Sequence, residues 1–271
     1  MLIAAAAVFT ADVSILRFLS QEVPFSLIIF FRSIAQLLIV SLWILYLKNG
    51  YFFSPRWKML VYRGVTSLIC WWLYYLSFMK LDLALASTLT FTSSLFVLAL
   101  APFILNEKLG LKKAIITFVG FIGILIASGI SSLKFELGIL LGLGSAFAAA
   151  ILMIQNRLLV FTENTATIMF WIGLVATIGT FPGAIISWQN IDIKDYLLLS
   201  SAGMLGTLGM LLTVEAFRFG EVSSLAPYPY FRIIFALIVG YFLFNELASP
   251  NEIIGAVIII FCTMLAVENK R

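Results

Sequence analysis

Four ionisable side chains lie inside long apolar stretches of this 271-residue chain: Asp12, Arg32, Glu215 and Arg232. A charge in hydrocarbon costs about 2.5–3.5 kcal/mol on insertion scales, so each needs a counter-charge or a wet cavity. Their formal charges cancel. Asp12 with Arg32, and Glu215 with Arg232, are the expected pairs, because each pair occupies consecutive apolar segments. Such pairs either lock helix packing or form a polar site for a charged substrate or a coupling ion. Arg232 lies ten residues into its segment, near the expected midplane, and Tyr228 sits four residues earlier on the same helical face. Pro227 and Pro229 remove two backbone donors there and leave the carbonyls at 223 and 225 without their usual partners. An arginine fork binds a carboxylate bidentately, so Arg232 suits an amino-acid-like head group.

Aromatic and hydroxyl residues gather on two neighbouring segments. Trp71, Tyr75 and Phe78 share one face, with Tyr74 beside it; Ser87, Thr90, Phe91 and Ser94 share another. Such stripes serve packing or a cavity that takes a planar or cationic ligand by stacking and cation–π contact. Gln155 is the strongly polar side chain of its segment, suited to bonding across helices or to touching substrate. Glu107 and Glu246 each end one apolar segment just before the next begins, where an acid favours the positive end of a helix; both read as caps. The run holding Gly138, Gly142 and Gly144 reads as a small-residue packing face, not a phosphate loop. The chain has no histidine, which excludes His-based metal sites and His acid–base catalysis. No metal or cofactor is expected. Cys70 and Cys262 lie far apart in apolar runs and read as small buried hydrophobes.

These residues are positioned by a lipid-embedded scaffold. Hydrophobic residues make up 62% of the chain and charged ones 11%, a surface that water could not solvate. Charges and turn formers cut the sequence into ten apolar segments: 2–19, 25–47, 58–79, 83–105, 111–129, 135–157, 165–187, 194–218, 222–244 and 250–267. At about 20 residues per membrane helix, little remains for a soluble domain. That excludes an ATP-driven motor or a nucleotide-binding fold. The N-terminal run MLIAAAAVFTADV lacks a basic lead and a small-residue cleavage site, so a first membrane helix is expected there, not a signal peptide. With the N-terminus in the cytoplasm, the cytoplasmic ends hold eleven cations: Lys48, Arg56, Lys58, Arg63, Lys108, Lys112, Lys113, Arg157, Arg218, Lys270 and Arg271. The opposite side holds four: Arg17, Lys80, Lys134 and Lys194. The positive-inside rule therefore places both termini in the cytoplasm.

A shift of 139 residues aligns the second half on the first over 64–127 without a gap, with ten identities in 64 positions. Asp82 meets Glu221, and Asn106-Glu107 meets Asn245-Glu246. Each half, 1–132 and 133–271, carries five segments, an odd number, so the second is expected to run inverted with a site between the halves. The repeated Asn-Glu junctions with Gly110 and Gly255, Pro24 with Arg32, and the run Ala226-Pro227-Tyr228-Pro229-Tyr230 leading through Gly240 to Phe244 resemble the EamA-type drug/metabolite transporter superfamily. The resemblance covers nearly the whole chain. One departure is Tyr241, where the first half has Pro102. The Ala-Pro-Tyr-x-Tyr run and the Asp12/Arg32 pair are similar to a subgroup that includes S-adenosylmethionine uptake carriers of intracellular bacteria.

The resemblance implies an all-α carrier of the bacterial inner membrane, with ten membrane helices in two inverted repeats, moving a small metabolite by alternating access. It is not expected to be an enzyme. The substrate would be small and amphipathic, amino-acid-like or S-adenosylmethionine-like, bound by Arg232, Tyr228, Glu215, Asp12, Arg32, Trp71, Tyr75, Thr90, Phe91 and Gln155. Proton or counter-substrate coupling is expected, through Asp12 or Glu215. The bilayer is the expected surround, with no nucleic-acid partner and a monomer or weak dimer as the working state. The alternatives are an efflux carrier for drugs or excess metabolites and a membrane-embedded lipid-modifying enzyme; the second would need a metal-binding acidic cluster or a nucleophile–base pair, and neither a DxxxD nor a His motif occurs in the sequence.

Overall fold

Apolar residues run almost unbroken between the polar junctions, so each stretch must satisfy its backbone internally and forms a helix. The computed structural model describes residues 1–19, 23–48, 50–78, 80–81, 89–107, 110–127, 137–245, 247 and 249–268. Its helices are α1 (Leu2–Leu19), α2 (Phe25–Leu47), α3 (Trp57–Phe78), α4 (Ser93–Leu105), α5 (Leu111–Ala127), α6 (Leu137–Leu159), α7 (Thr165–Ile186), α8 (Ile193–Ala216), α9 (Val222–Leu225), α10 (Phe231–Phe244) and α11 (Pro250–Glu268), with a 3-10 turn at Tyr228–Tyr230. No strand occurs among the described residues. Five helical stretches there are long and apolar enough to cross a membrane: Phe25–Tyr46, Leu137–Leu159, Thr165–Ile186, Ile193–Ala216 and Val222–Leu243. Leu2–Ile15, Leu89–Leu105 and Pro250–Cys262 are shorter apolar helices.

Most helices fall within two residues of the expected segments, and two differ. Of the segment expected at 83–105, Leu89–Leu105 is helical with a break at Thr92, whose hydroxyl donates to the Leu89 carbonyl at 2.6 Å. The segment expected as one helix over 222–244 is three pieces. Pro227 and Pro229 lack the N–H groups that an α-helix would direct to residues 223 and 225, so the ladder stops at Leu225 and resumes at Phe231.

The junctions owe their residue types to backbone geometry. Lys48, Asn106 and Asn245 end α2, α4 and α10 in the left-handed region, at φ 48°, 52° and 52°. Asparagine tolerates that conformation better than most side chains, which accounts for its recurrence at both Asn-Glu junctions. Ser249 and Glu252 form a reciprocal capping box at the start of α11, at 2.6 and 3.3 Å.

The helices pack as two compact units, each drawing on both sequence halves. Unit 1 comprises Met1, Ile3–Leu68 and Leu159–Arg218. In it α2 packs against both α7 and α8. Small residues permit the approach: a Cβ at Gly173 would lie 3.2 Å from the Leu37 nitrogen, and one at Gly203 would lie 2.5 Å from the Ala35 Cβ. The amide of Gln36 donates to the Met169 carbonyl at 2.9 Å. Leu19, Leu27, Ile28 and Leu199 fill one core, and Val40, Ile44, Ala166 and Met169 a second. Gly203→Ala is therefore expected to push α8 off α2. The backbone must move, because the Ala35 methyl has no rotamer to escape into, and about 1–3 kcal/mol of stability is lost. A thermal melt in detergent checks this; an unchanged melting temperature would refute the packing role.

Unit 2 comprises Leu2, Ile69–Leu158 and Phe219–Arg271. Here α5 packs along α11, with Gly123 against Ile258 and the Gly255 carbonyl. The expected small-residue face of α6 is present. Ser77 donates to the Gly138 carbonyl at 2.8 Å, Ser145 donates to the Cys70 carbonyl at 2.9 Å, and Gly142 meets Leu89 and Ser77. Cys70 and Cys262 are both buried, and no disulfide joins them.

Candidate functional site

Asp12 and Arg32 meet as expected, in unit 1. The Arg32 Nη2 donates to Asp12 Oδ2 at 2.6 Å, with the Asp12 side chain 1% exposed and that of Arg32 30% exposed. Gly206 on α8 makes room for the guanidinium, since a Cβ there would lie 2.7 Å from Nη2. Gly209 does the same for the Phe9 ring, at 2.9 Å. A carboxylate this deeply buried orients the arginine, and the partly open guanidinium retains donors for an anionic ligand.

Glu215 has a local partner within its own unit. Its carboxylate is held by Arg218, one turn further on, at 3.2 Å, and by the hydroxyl of Thr165. Arg218 also donates to the carbonyls of Val160 and Glu163 and to Thr165 Oγ1, the last two at 2.9 Å. Ser54 donates to Glu163 at 2.5 Å. These groups tie the end of α8 to the α6–α7 connection, a polar cluster at helix ends. Glu215 therefore reads as part of a staple, not as a group at the middle of its helix. The i,i+3 spacing of Glu215 and Arg218 was the available signal. Outside the apolar helices, partial desolvation and then the charge of Glu163 raise the Tyr51 phenol above its ordinary pKa.

Arg63, expected at a cytoplasmic helix end, is 1% exposed, and it donates to Ser67 one turn along α3. Sequence reasoning counted this arginine for topology and missed its burial. The signal was its place as the seventh residue of α3, between Tyr62 and Gly64.

Unit 2 holds the remaining candidates. Arg232 is ten residues into its segment yet only the second residue of α10. Tyr228 opens the 3-10 turn before it. A 3-10 turn winds three residues per turn, so the face expected to join Tyr228 and Arg232 in an unbroken helix is altered. Both side chains are half-buried. The turn also moves the freed acceptor. Tyr230 N–H bonds the Pro227 carbonyl at 3.1 Å, three residues back, and the Ala226 carbonyl instead accepts from Ser94 on α4 at 2.7 Å. Tyr230, missed in the sequence, is fully buried. Phe91 packs edge-on against its ring at 5.9 Å, and a Cβ at Gly120 would lie 2.9 Å from it.

Trp71 and Thr90 are half-buried, and Gln155 is buried at 3% exposure. The side chains of Tyr75 and Phe78 and all of Ser87 lie outside the described residues. Glu107 is a cap, as expected, but of a different helix. Its carboxylate accepts from the N–H groups of Val222 at 2.9 Å and Ser223 at 3.0 Å, and from the Ser223 hydroxyl at 2.6 Å. It thus caps α9, 115 residues away, and not the adjacent α5. Lys113 of α5 pairs with Glu221 at the same point. Glu246 lies outside the described residues.

Comparison with known proteins agrees with this architecture. The model of the EamA-like transporter family matches residues 1–129 and 136–267. An S-adenosylmethionine uptake transporter of Rickettsia bellii is 30% identical over 79% of this chain and 71% of its own. A pseudopaline exporter of Pseudomonas aeruginosa is 26% identical over 100% of this chain and 96% of its own. One solved crystal structure matches at a TM-score of 0.82 with 14% identity, over 99% of this chain and 94% of that one, a likeness of fold. The apolar helices and the family match together make this chain a multi-pass membrane transporter and not an enzyme, and it belongs to the EamA-like transporter family.

Proposed function

We propose that this transporter takes up a small amphipathic metabolite with an amino-acid-type carboxylate, of the S-adenosylmethionine class, across a bacterial inner membrane. The observation that carries the reading is the interrupted segment before α10, which sets Arg232 at the start of a helix inside an apolar span. An arginine there offers a planar fork to a carboxylate. The similarity to S-adenosylmethionine uptake transporters supports the substrate class. Tyr228, Trp71, Thr90, Phe91 and Gln155, in the same unit as Arg232, are the further candidates for polar and aromatic contact with the substrate; the partly open Arg32 of the other unit is a separate candidate. Transport runs by alternating access of two inverted five-helix halves, 1–132 and 133–271. A proton or counter-substrate drives it, and Asp12 is the proton-handling candidate, because its carboxylate is buried within α1 beside Arg32, whereas Glu215 lies in the polar cluster at the end of α8. Metabolite export is the second reading, favoured by the full-length similarity to the pseudopaline exporter.

Proteoliposomes loaded with unlabelled S-adenosylmethionine should accumulate the labelled compound by counterflow, saturably and without ATP. Absence of both counterflow and ligand-induced thermal stabilisation would refute the substrate class. Accumulation only in inverted vesicles would favour export.

The orientation has its own test. Phe53 and Phe161 are 86% and 65% exposed, and both native cysteines are buried, so single cysteines should report cleanly. F53C and F161C are expected to resist a membrane-impermeant maleimide in intact cells and to react after permeabilisation. Labelling of either in intact cells would overturn the cytoplasmic placement of both termini.

A further inference from the structure

We infer that Glu107 is a positioning residue for Arg232, acting through the start of the broken segment 222–230; the inference rests on the carboxylate-binding reading of Arg232. The segment cannot set its own path. α9 is a single turn of four residues, and the prolines at 227 and 229 remove two of the four backbone donors that would have continued its ladder. Its direction is therefore imposed from outside: among the described residues its polar anchors come from α4, α5 and the residues flanking them, and Ile259 of α11 packs beside Tyr230. Glu107 takes the first N–H groups of α9, and Lys113 pairs with Glu221 beside them. Ser94 holds the Ala226 carbonyl midway. Phe91 and Gly120 confine the Tyr230 ring at the far end, two residues before Arg232.

The chemistry at position 107 demands a carboxylate. Three donors converge on two oxygens: Oε1 accepts from Val222 N–H, and Oε2 accepts from the N–H and hydroxyl of Ser223. Glutamine presents one oxygen and turns an NH2 group toward a donor. Ser223 is 1% exposed, so an abandoned donor there finds no water, and α9 must shift to relieve it. A shift at α9 passes along a segment with no continuous ladder to absorb it and reaches the first turn of α10. A bidentate arginine contact tolerates little misplacement; an error near 1 Å costs up to about a hundredfold in a well-oriented site.

The test compares S-adenosylmethionine with its carboxyl methyl ester, which keeps the adenosyl and sulfonium groups and loses the anion. Binding to purified full-length protein is measured for the wild type, Glu107→Gln, Ser223→Ala and Arg232→Lys. The wild type should prefer the acid. Glu107→Gln should weaken the acid about tenfold and leave the ester within about twofold, so that the preference collapses. Equal weakening of acid and ester, or no weakening, would reduce Glu107 to a helix cap and overturn the inference. Ser223→Ala removes one donor of the three and carries the same comparison if Glu107→Gln yields no folded protein. Arg232→Lys separates the two readings. A preference that survives there overturns the role of Arg232 and this inference with it. A preference lost there but intact in both Glu107→Gln and Ser223→Ala overturns only the role of Glu107.

Discussion

Arg232→Ala protein should insert and purify at close to normal yield and bind S-adenosylmethionine about a hundredfold more weakly, the usual scale for removing one partner of a desolvated charge-assisted contact. Arg232→Lys keeps the charge and loses the fork, so it should recover only part of that loss. Stability should change little through Glu215, because that carboxylate is engaged by Arg218 and Thr165. Binding titrations with both variants, beside melting temperature and monodispersity, decide the matter. Near-normal affinity in Arg232→Ala would remove this residue from the site. A collapse in folding with affinity intact in the surviving fraction would make it a packing residue.

The second large effect is expected at the Asp12–Arg32 pair. Asp12 is buried and its partner is not fully so. Asp12→Ala strands a cation against α8, close to Gly206, and should cost about 3 kcal/mol after allowance for the solvent that still reaches Arg32. Replacing both together, Asp12→Ala with Arg32→Met, should recover most of the melting temperature, since a pair removed as a unit leaves no uncompensated charge. Counterflow then separates structure from function. Restored stability with transport still absent assigns the pair to substrate or proton handling. Restored transport makes it a packing device, and failure of the double variant to regain stability would show that the two side chains do not act as a pair.

The ends of the apolar stretches were legible because they depend on local chemistry. α1 and α2 match the expected 2–19 and 25–47 to the residue, bounded by polar runs and Pro24. The Asn-Glu junctions were legible as junctions, and Asn106 and Asn245 adopt the left-handed geometry that favours asparagine. The Asp12–Arg32 pair followed from two opposite charges on consecutive helices. The same logic pointed Glu215 at Arg232, yet the carboxylate is held by Arg218, within one turn on the same chain segment. A local partner wins when it can reach without a second helix being brought into register.

The sequence by itself determined the apolar class, the boundaries of most helices, the family resemblance and the presence of a proline-disturbed stretch before Arg232. These follow from composition and from backbone rules that act within a few residues. Only the tertiary structure decided that Glu107 caps α9 and not α5, that Ser94 takes the Ala226 carbonyl, that Arg63 is buried, and that Tyr230 fills the space beside Gly120. The physical reason is common to all four. An unsatisfied donor, acceptor or ring face can be met by any chemically suitable group that packing brings near, and in a chain of apolar helices many groups qualify equally. Which one does so depends on how helices distant in sequence are placed, and neither spacing nor periodicity along the chain encodes that placement.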